Sequence, residues 1–379
     1  MMMPVYLNSC TCRFRQRGLS LIELMVSITI GLLLLVSLSS MFINQSRART
    51  ELDKANRMID NGRYALDLLS SNLRIAGYFA SFEPTGAATT IYDPCSTIPM
   101  TDPAQSLDLL RVAVQGYDAS STAAQVSSPP CSLTYTAGSP ETLKSGSDIL
   151  VLRRVSTAAL TQNAAATLGI NGSIYMQVSS CQYDTVPYMI SNNPSAMMLG
   201  QRNINGTNNC FSSVGITTIT APYEAVRPFK VEVYFVSPDN NAGDGIPTLK
   251  RRELTYSLGS TVFVTTPLVE GIEFMQVEYG IDDPALDTDG VNGIGLDGAP
   301  DFYSTCSACT PEQWSNVVSV KLNLIARNTE STTGYTDPNT YTLGQAGDYT
   351  PSGDDRNFKR HAYTQTIRLT NPSSRRETP

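Results

Sequence analysis

Residues 17–43 read RGLSLIELMVSITIGLLLLVSLSSMFI, and this stretch decides the fold. The run from Leu19 to Ile43 is almost wholly apolar, and its only formal charge is Glu23. At ~1.5 Å per residue, a helix of this length crosses a bilayer core of roughly 30 Å. A secretory signal would end in a small-residue cleavage site, whereas this run continues directly into a polar helical pattern. We therefore expect a single membrane anchor that stays on the protein.

The charges that flank the anchor indicate its orientation. Arg13, Arg15 and Arg17 precede it, and the positive-inside rule favours keeping them in the cytoplasm. Arg47 and Arg49 lie on the other side and weaken this bias. We expect one pass through the inner membrane, with the body in the periplasm.

Glu23 needs an explanation, because a carboxylate at the middle of a span costs about 2.5–3.5 kcal/mol on insertion scales. Its place near one end of the run lowers that cost. The helix dipole offers one explanation, since it favours an acid in the first turn by roughly 0.3–1 kcal/mol. A specific partner for the charge is the other.

The composition narrows the function classes. The chain has 379 residues, 41% of them apolar and 16% charged, which is typical of a folded protein with a sizeable core. Its net charge of −7 argues against a general phosphate-binding surface, so we expect no nucleic-acid partner. Eight cysteines and one histidine favour disulfides in an oxidising compartment over metal or catalytic sites.

A long helix is predicted beyond the anchor. No proline occurs between Pro4 and Pro84, and Gly77 is placed to end the helix. Apolar or small residues recur at alternating spacings of three and four, which is the pattern of one helix face. This stripe indicates packing on a core, with a coiled-coil seam as the alternative. Its members are Leu52, Ala55, Ile59, Gly62, Leu66, Leu69, Leu73 and Ala76.

The body beyond Phe82 carries short strand patterns between turn-rich segments. Residues 229–235 and 318–324 alternate apolar and polar side chains, which is typical of half-buried strands. The sequence thus predicts an α+β fold in which one long N-terminal membrane-anchored helix packs on an antiparallel β-sheet. Further strands are expected at 147–155, 248–256, 270–279 and 363–369.

Two stretches of the body, 84–145 and 156–228, have weak periodicity and carry four cysteines. We expect them to be loop-rich insertions whose disulfides substitute for core.

Residues 17–24, RGLSLIEL, resemble the processing motif of type IV prepilins. The resemblance implies a pilin-like fold, cleavage by prepilin peptidase after Gly18, and methylation of the new amino terminus at Leu19. Many members begin the mature chain with Phe, where this chain has Leu19. Glu23 becomes the fifth mature residue, and its role would be filament registry. Paired with a neighbouring subunit's ammonium, its carboxylate would escape the penalty on an unpaired charge in a medium of low dielectric.

The implied organisation has four parts. Removing the leader also removes Cys10 and Cys12 and changes the formal net charge from −7 to −10. The parts are a leader peptide at 1–18, a transmembrane helix at 19–43, a helical stalk at 44–77, and a globular periplasmic or extracellular pilin domain at 78–379.

Seven stretches of the stalk and the C-terminal half share one family pattern. They are NGRYA at 61–65, LRIAGY at 73–78, GIPTLKR at 245–251, VEGIE at 269–273, VEYGID at 277–282, WSNVVSVK at 314–321 and YTQTIRLTN at 363–371. Together they resemble the PilW-type minor pilins of type IV pili. Where some members continue past Tyr78 with a glycine and a cysteine, this chain has Ala80 and Ser81.

That resemblance implies a low-abundance subunit that helps to initiate pilus assembly and sits at or near the pilus tip. The implied partners are other minor pilins, the major pilin and a large tip adhesin. One alternative is a J-type minor pseudopilin of a type II secretion system, which shares the anchor and body plan. Another is an adhesive or ligand-binding module displayed at the tip through residues 84–228.

The cysteines are candidates for disulfides. Cys306 and Cys309 have the C-x-x-C spacing of a zinc half-site or a redox dithiol, but a second such pair and a nearby histidine are lacking in the sequence. A structural disulfide is the better interpretation, and Cys95 with Cys131 is the other local pair. Six cysteines allow 15 pairings, so the connectivity stays open. The six candidates are Cys95, Cys131, Cys181, Cys210, Cys306 and Cys309.

A glycine-rich loop after Ile281 carries a cluster of oxygen-bearing side chains. Flexible loops of this kind are what Ca²⁺ selects, although the spacing does not match an EF-hand. A solvated turn is the alternative, and apart from calcium we expect no cofactor. The candidate ligands are Asp282, Asp283, Asp287, Asp289, Asn292 and Asp297, with Asp301 nearby.

His361 is the only imidazole, so a hydrolase triad would have to be built around it. A single histidine at the start of a predicted strand is weak support for catalysis. We therefore expect that the protein is not an enzyme.

Overall fold

The computed structural model describes residues 18, 20–96, 103–160, 174–181, 184, 186–193, 197, 199, 224–257, 260–286 and 296–376. One helix, α1, runs without interruption from Leu21–Arg74. By contacts the chain forms two compact units, Met1–Asp53 and Lys54–Pro379.

In the first unit, the apolar side chains of α1 are exposed along the whole anchor. Leu21 is 79% exposed and Phe42 is 72% exposed. By length and composition α1 qualifies as a membrane span, and none of its apolar window is buried. A surface of this kind is what the hydrocarbon of a bilayer would cover.

In the second unit, the same helix buries one narrow face. Met58, Gly62, Ala65, Leu69 and Leu73 are buried at helical spacing, as packing on a core predicts. The predicted stripe is displaced at its start, because Leu52 is 63% exposed, and it omits Met58 and Ala65.

The helix ends at Arg74, three residues before the expected boundary at residue 77. Gly77 lies beyond the last turn with φ +73°, a left-handed conformation that favours glycine. Its N–H donates to the Arg153 carbonyl over 2.9 Å, and a Cβ here would approach Ala113. Gly77 therefore fixes the exit of the chain from the helix rather than capping its last turn.

The larger sheet is antiparallel and has seven strands, with β5 at its centre. β5 pairs with β2, β3 and β6, and β7 continues the sheet from β6. The strands are β1 (Val114–Tyr117), β2 (Ile149–Val155), β3 (Tyr175–Val178), β4 (Tyr188–Ser191), β5 (Val226–Ser237), β6 (Thr248–Ser257) and β7 (Ser260–Glu270).

The smaller sheet has four antiparallel strands in the order β13-β10-β8-β9, and β11 pairs with β12 in a separate ribbon. These strands are β8 (Ile272–Ile281), β9 (Phe302–Ser304), β10 (Val317–Arg327), β11 (Tyr341–Thr342), β12 (Asp348–Tyr349) and β13 (Arg360–Arg368). The short helices in the described part of the chain are α2 (Pro103–Arg111), α3 (Pro311–Ser315) and α4 (Thr370–Ser374), with 3₁₀ turns at Gly344–Ala346 and Gly353–Asn357.

The predicted α+β class, with a long N-terminal helix on antiparallel sheet, is confirmed. Two details of the prediction are wrong. Among the described residues there are two main sheets rather than one, and most residues of the strands expected to be half-buried are buried on both faces. On β5, Glu232 and Tyr234 are both fully buried, because Arg154 and Arg251 neutralise the Glu232 carboxylate at 3.1 and 3.6 Å.

A central core lies between α1 and the two sheets. Leu69 and Leu73 of the helix belong to one cluster with Leu152 of the larger sheet and Val277 and Leu322 of the smaller one. Burying such side chains stabilises the fold by about 1.5–3 kcal/mol each. The helix thus joins both sheets into one unit.

The expected insertion at 84–145 is more than loop. It contains α2 and β1, and its Leu110 and Leu133 form a second core with Val231 and Phe235 on the larger sheet. The expected insertion at 156–228 contains β3 and β4, and much of the rest of it lies outside the described residues. The disulfide of the first insertion therefore adds to a hydrophobic core instead of replacing one.

A buried carboxylate ties the two sheets together. Asp148, which precedes β2, accepts hydrogen bonds from the N–H groups of Ala119 and Val277 over 2.8 Å each, and its own N–H donates to the Met275 carbonyl. Burial raises the pKa of Asp148 well above its ordinary value. Its side chain satisfies backbone groups at the edge of β8 that would otherwise be costly to bury.

The connection between β10 and β13 covers the smaller sheet through a buried ion-pair network. Arg360 donates two hydrogen bonds to Glu273, over 2.6 and 3.1 Å, and a third to Asp337 over 3.3 Å. Arg327 reaches the same Glu273 carboxylate at 3.3 Å. Since Arg360, Glu273 and Asp337 are all inaccessible to solvent, removing one partner would leave a buried charge at a cost of about 3–5 kcal/mol.

The helix-to-sheet contact gives the first prediction. A Cβ at Gly62 would overlap the ring of Tyr363 on β13, whose hydroxyl donates to the Ile59 carbonyl. Gly62→Ala should lower the free energy of unfolding by about 1–3 kcal/mol, because overpacking outweighs the better helix propensity of alanine. Urea unfolding of the full chain in detergent, followed by near-UV circular dichroism, measures the change.

Gly31→Ala is the matched control. It makes the same replacement in the same helix, where no described atom lies within 4 Å of the new Cβ. Equal stability of Gly62→Ala and Gly31→Ala would contradict the close approach of α1 to β13.

Candidate functional site

The N-terminus of α1 is capped by the side chains of Ser20 and Glu23. Ser20 precedes the first helical residue, and its Oγ accepts a hydrogen bond from the Ile22 N–H over 3.3 Å. Glu23 reaches back, so that its Oε2 accepts from the Ser20 N–H over 2.9 Å. This reciprocal arrangement is a capping box, which satisfies donors that the first helical turn leaves unpaired.

The capping box uses only part of the Glu23 carboxylate. Oε2 holds the Ser20 N–H, whereas Oε1 makes no hydrogen bond to any residue that the structure describes. One carboxylate can therefore cap its own helix and still offer an oxygen to another cation. The cap was not predicted from the sequence, although the S-x-x-E spacing of Ser20 and Glu23 is its ordinary signal.

The predicted cleavage point is only partly visible. Gly18 is exposed, and no described atom lies within 4 Å of a Cβ built on it, so packing does not require a glycine there. Leu19, the predicted methylation site, lies outside the described residues.

The N-terminus matches a known motif, and part of the body matches a known family. Residues 13–39 match the prokaryotic N-terminal methylation motif, and residues 233–371 match the family of the type IV pilus-assembly protein W, PilW. Part of the body is thus similar to PilW, and the N-terminus carries the methylation motif.

A type IV-like pilin from Thermus thermophilus is structurally similar at 12% identity, over 53% of this chain and 86% of that one, with a TM-score of 0.23. No curated protein matches the chain in sequence.

The stretches that resemble PilW-type pilins meet in space where α1 docks on the sheets. Asn61 donates to the Glu270 carbonyl over 3.0 Å, and Gly62 leaves room for Tyr363. Asn371, at the end of the last stretch, donates to the Ala76 carbonyl over 3.0 Å. Much of the family pattern therefore maintains the joint between helix and body.

Gly271, at the junction of β7 and β8, also lies where chain segments approach too closely for a side chain. It has φ +79°, and a Cβ there would lie 2.7 Å from the Arg327 carbonyl oxygen. Its N–H donates to the Pro247 carbonyl, and its own carbonyl accepts from the Arg327 N–H, each over 2.7 Å. A glycine is required where three chain segments approach this closely.

The structure joins two of the candidate cysteine pairs. Cys95 is bonded to Cys131 and Cys306 to Cys309, so the C-x-x-C pair is a disulfide rather than a dithiol. Cys181 is also disulfide-bonded, and Cys210 lies outside the described residues.

Asp93 packs beside the Cys95–Cys131 disulfide. Its Oδ1 accepts from the Cys95 N–H over 2.7 Å and its Oδ2 from the Cys131 N–H over 3.2 Å. Among the described residues these three form the group close enough to share a metal ion. Because both sulfurs are joined in the disulfide, they are not available as thiolate ligands.

The described acids of the predicted calcium loop are occupied by backbone groups. Asp282 is buried and accepts from the Gly298 N–H over 2.9 Å, and burial raises its pKa. Asp283 accepts from the N–H of Ala285 and Asp297 from that of Ala299. Asp301 accepts from the Asp283 N–H over 2.7 Å.

The other predicted ligands, Asp287, Asp289 and Asn292, lie outside the described residues. Calcium binding by this loop stays a prediction.

His361 lies exposed on β13, with its ring edge-on to Tyr363 at 4.6 Å between centroids. Its cross-strand neighbour is Ala326, which has no catalytic group. The family that residues 233–371 match is one of pilus-assembly proteins rather than a known enzyme family.

The calcium hypothesis leads to a test of thermal stability. A ligand that binds only the folded state stabilises it by RT ln(1 + [L]/Kd), so millimolar calcium should raise the unfolding temperature relative to chelator. Asp297→Asn, at an exposed turn, should reduce the difference without unfolding the protein. Equal midpoints with and without calcium would mean that the acids only hold turns.

Proposed function

We propose that this protein is a minor pilin that helps to initiate type IV pilus assembly and sits at or near the pilus tip. The observation that carries the proposal is the PilW match over 233–371 on a chain whose residues 13–39 match the methylation motif. In this proposal the body is exported while the anchor crosses the inner membrane, and the subunit later enters the filament. The motif and the exposed apolar surface of α1 fit a membrane-anchored pilin.

Processing is the first step of the proposed function. Prepilin peptidase would cleave after Gly18 and methylate Leu19. The open space around Gly18 supports this role, because the described structure gives no other reason for a glycine at the position. Recognition by prepilin peptidase would require a glycine here, because the active site of the peptidase must approach the backbone closely.

Filament registry is the second step. In the mature protein the new ammonium would lie on Leu19, next to the capped Ser20. A subunit entering the filament would place Glu23 beside the ammonium of a neighbour, where the free Oε1 could accept a charge-assisted hydrogen bond. A subunit out of register would leave both charges in a medium of low dielectric, which is heavily penalised.

The proposed partners are other minor pilins, the major pilin and a large tip adhesin. Pilin families act together with other pilus components, which supports this general class of partner. Co-purification tests whether the protein enters a type IV pilus or a type II secretion pseudopilus. Recovery with pilus tip proteins supports the proposal, and recovery with type II secretion pseudopilins would favour the J-type alternative.

The registry role predicts the effect of Glu23→Gln. Glutamine is also found at this position of capping boxes, so the cap should survive, while the negative charge is lost. Insertion should become easier, because the charge no longer enters the membrane. We expect normal membrane level and leader removal, but several-fold weaker recovery with other minor pilins and reduced surface piliation and twitching motility.

Asp53→Asn is the matched control, since it removes an exposed acid from the same helix beyond the apolar run. It should behave like the native protein in every assay. If Glu23→Gln also behaves like the native protein in every assay, Glu23 only caps its own helix and the registry role is rejected.

A further inference from the structure

A cavity of about 330 Å³ lies between the turn after Phe82, α2, α3 and the end of α4. Arg111, Arg375 and Arg376 line it, together with Trp314. Three separate segments of the body supply these four residues, so the folded chain brings together cations that no single motif contains.

The arginines are held in place before any ligand arrives. Arg111 donates to the Thr85 carbonyl over 2.8 Å and to Asp108 over 3.1 Å. Arg375 donates to the Gly77 carbonyl over 2.5 Å. Because their side chains are already ordered, binding would cost little further conformational entropy.

One nitrogen of Arg376 lacks a hydrogen bond to any described residue. The other, Nη2, donates to the Ser315 carbonyl over 2.7 Å and to the Asn316 side chain over 2.8 Å. The buried Nη1 forms an ion pair with Asp282 at 3.5 Å, but it has no hydrogen-bond acceptor among the described residues. A buried N–H without a hydrogen bond is unfavourable, so this nitrogen favours an additional anionic acceptor.

The electrostatics agree with that geometry. Burial lowers the pKa of Arg375 to about 10, with Glu83 acting in the opposite direction. Burial also lowers the pKa of Arg376, although Asp282 opposes the change. In both side chains the loss of hydration outweighs the nearby negative charge, and an anion in the cavity would compensate for it.

The acids that line the cavity restrict what kind of anion fits. Glu83 and Glu312 are exposed, so they lie at the solvent side while the arginines are half-buried. The two carboxylates at the entrance repel an incoming phosphate dianion more strongly than they repel an incoming carboxylate, which carries a single negative charge. A guanidinium also matches the geometry of a carboxylate.

We propose that this cavity binds a peptide carboxylate of a partner protein, either a chain terminus or an Asp or Glu side chain, with Arg376 as the principal contact. The site is independent of the assembly role, since all the residues that form it belong to the body. It would let the exposed body recognise an acidic segment of a neighbour without using the helix.

Trp314 makes the proposal directly measurable, because it is the only tryptophan in the chain and lines this cavity. The full chain in detergent is titrated with acetyl-Ala-Glu-Ala-amide, acetyl-Ala-Ala-Ala with a free C-terminus, and the neutral acetyl-Ala-Gln-Ala-amide, while tryptophan fluorescence is recorded. We expect a saturable change with at least one charged peptide and none with the neutral one. The two charged peptides distinguish a side-chain carboxylate from a chain end.

Two variants test the contact in opposite directions. Arg376→Gln should weaken peptide binding about tenfold or more, since a charge-assisted hydrogen bond is lost. Glu312→Gln should strengthen it by about two- to fivefold, because an exposed repulsive charge is removed. Misfolding cannot produce the second effect.

Three results would overturn the proposal. They are an equal fluorescence change with the neutral peptide, no change with either charged peptide, and tighter binding of inorganic phosphate than of the peptides. Loss of piliation in Glu23→Gln has no bearing on these results, so the two proposals fail separately.

Discussion

The packing of α1 between residues 58 and 73 against both sheets is the interaction on which the rest of the structure depends. The helix has an apolar surface that is exposed all round in its first half and one narrow buried face in its second. Small residues such as Gly62 and Ala65 allow the close approach that Tyr363 requires. The stretches that resemble PilW-type pilins meet at this joint, so the position of the helix and the arrangement of the sheets depend on the same contacts.

Polar groups in the interior then fix how the sheets are arranged. Asp148 satisfies N–H groups from two segments, and Glu273 holds Arg360 and Arg327 beneath the connection between β10 and β13. Such groups add little net stability compared with apolar packing, but each is expensive if left unpaired. They therefore favour one arrangement of the sheets over other compact ones.

The sequence predicted the elements whose signal is local. The anchor, the six predicted strands and the local disulfide pairs all follow from neighbouring residues. It did not predict β7, whose edge position tolerates Pro267, or the second sheet. Glu232 appeared solvent-facing because its partners, Arg154 and Arg251, come from other strands. The motif at Gly18 and Glu23 could be predicted because its residues are neighbours in the sequence. The arginine cavity could not, because its residues come from distant segments of the chain.

In the proposed function, this chain enters a filament as a processed pilin. Mass spectrometry of the N-terminal peptide, from protein recovered from membranes or sheared filaments, tests this most directly. The chain should begin at Leu19 with an N-methyl group and retain the whole apolar segment. An intact leader, or cleavage beyond Ile43, would contradict it.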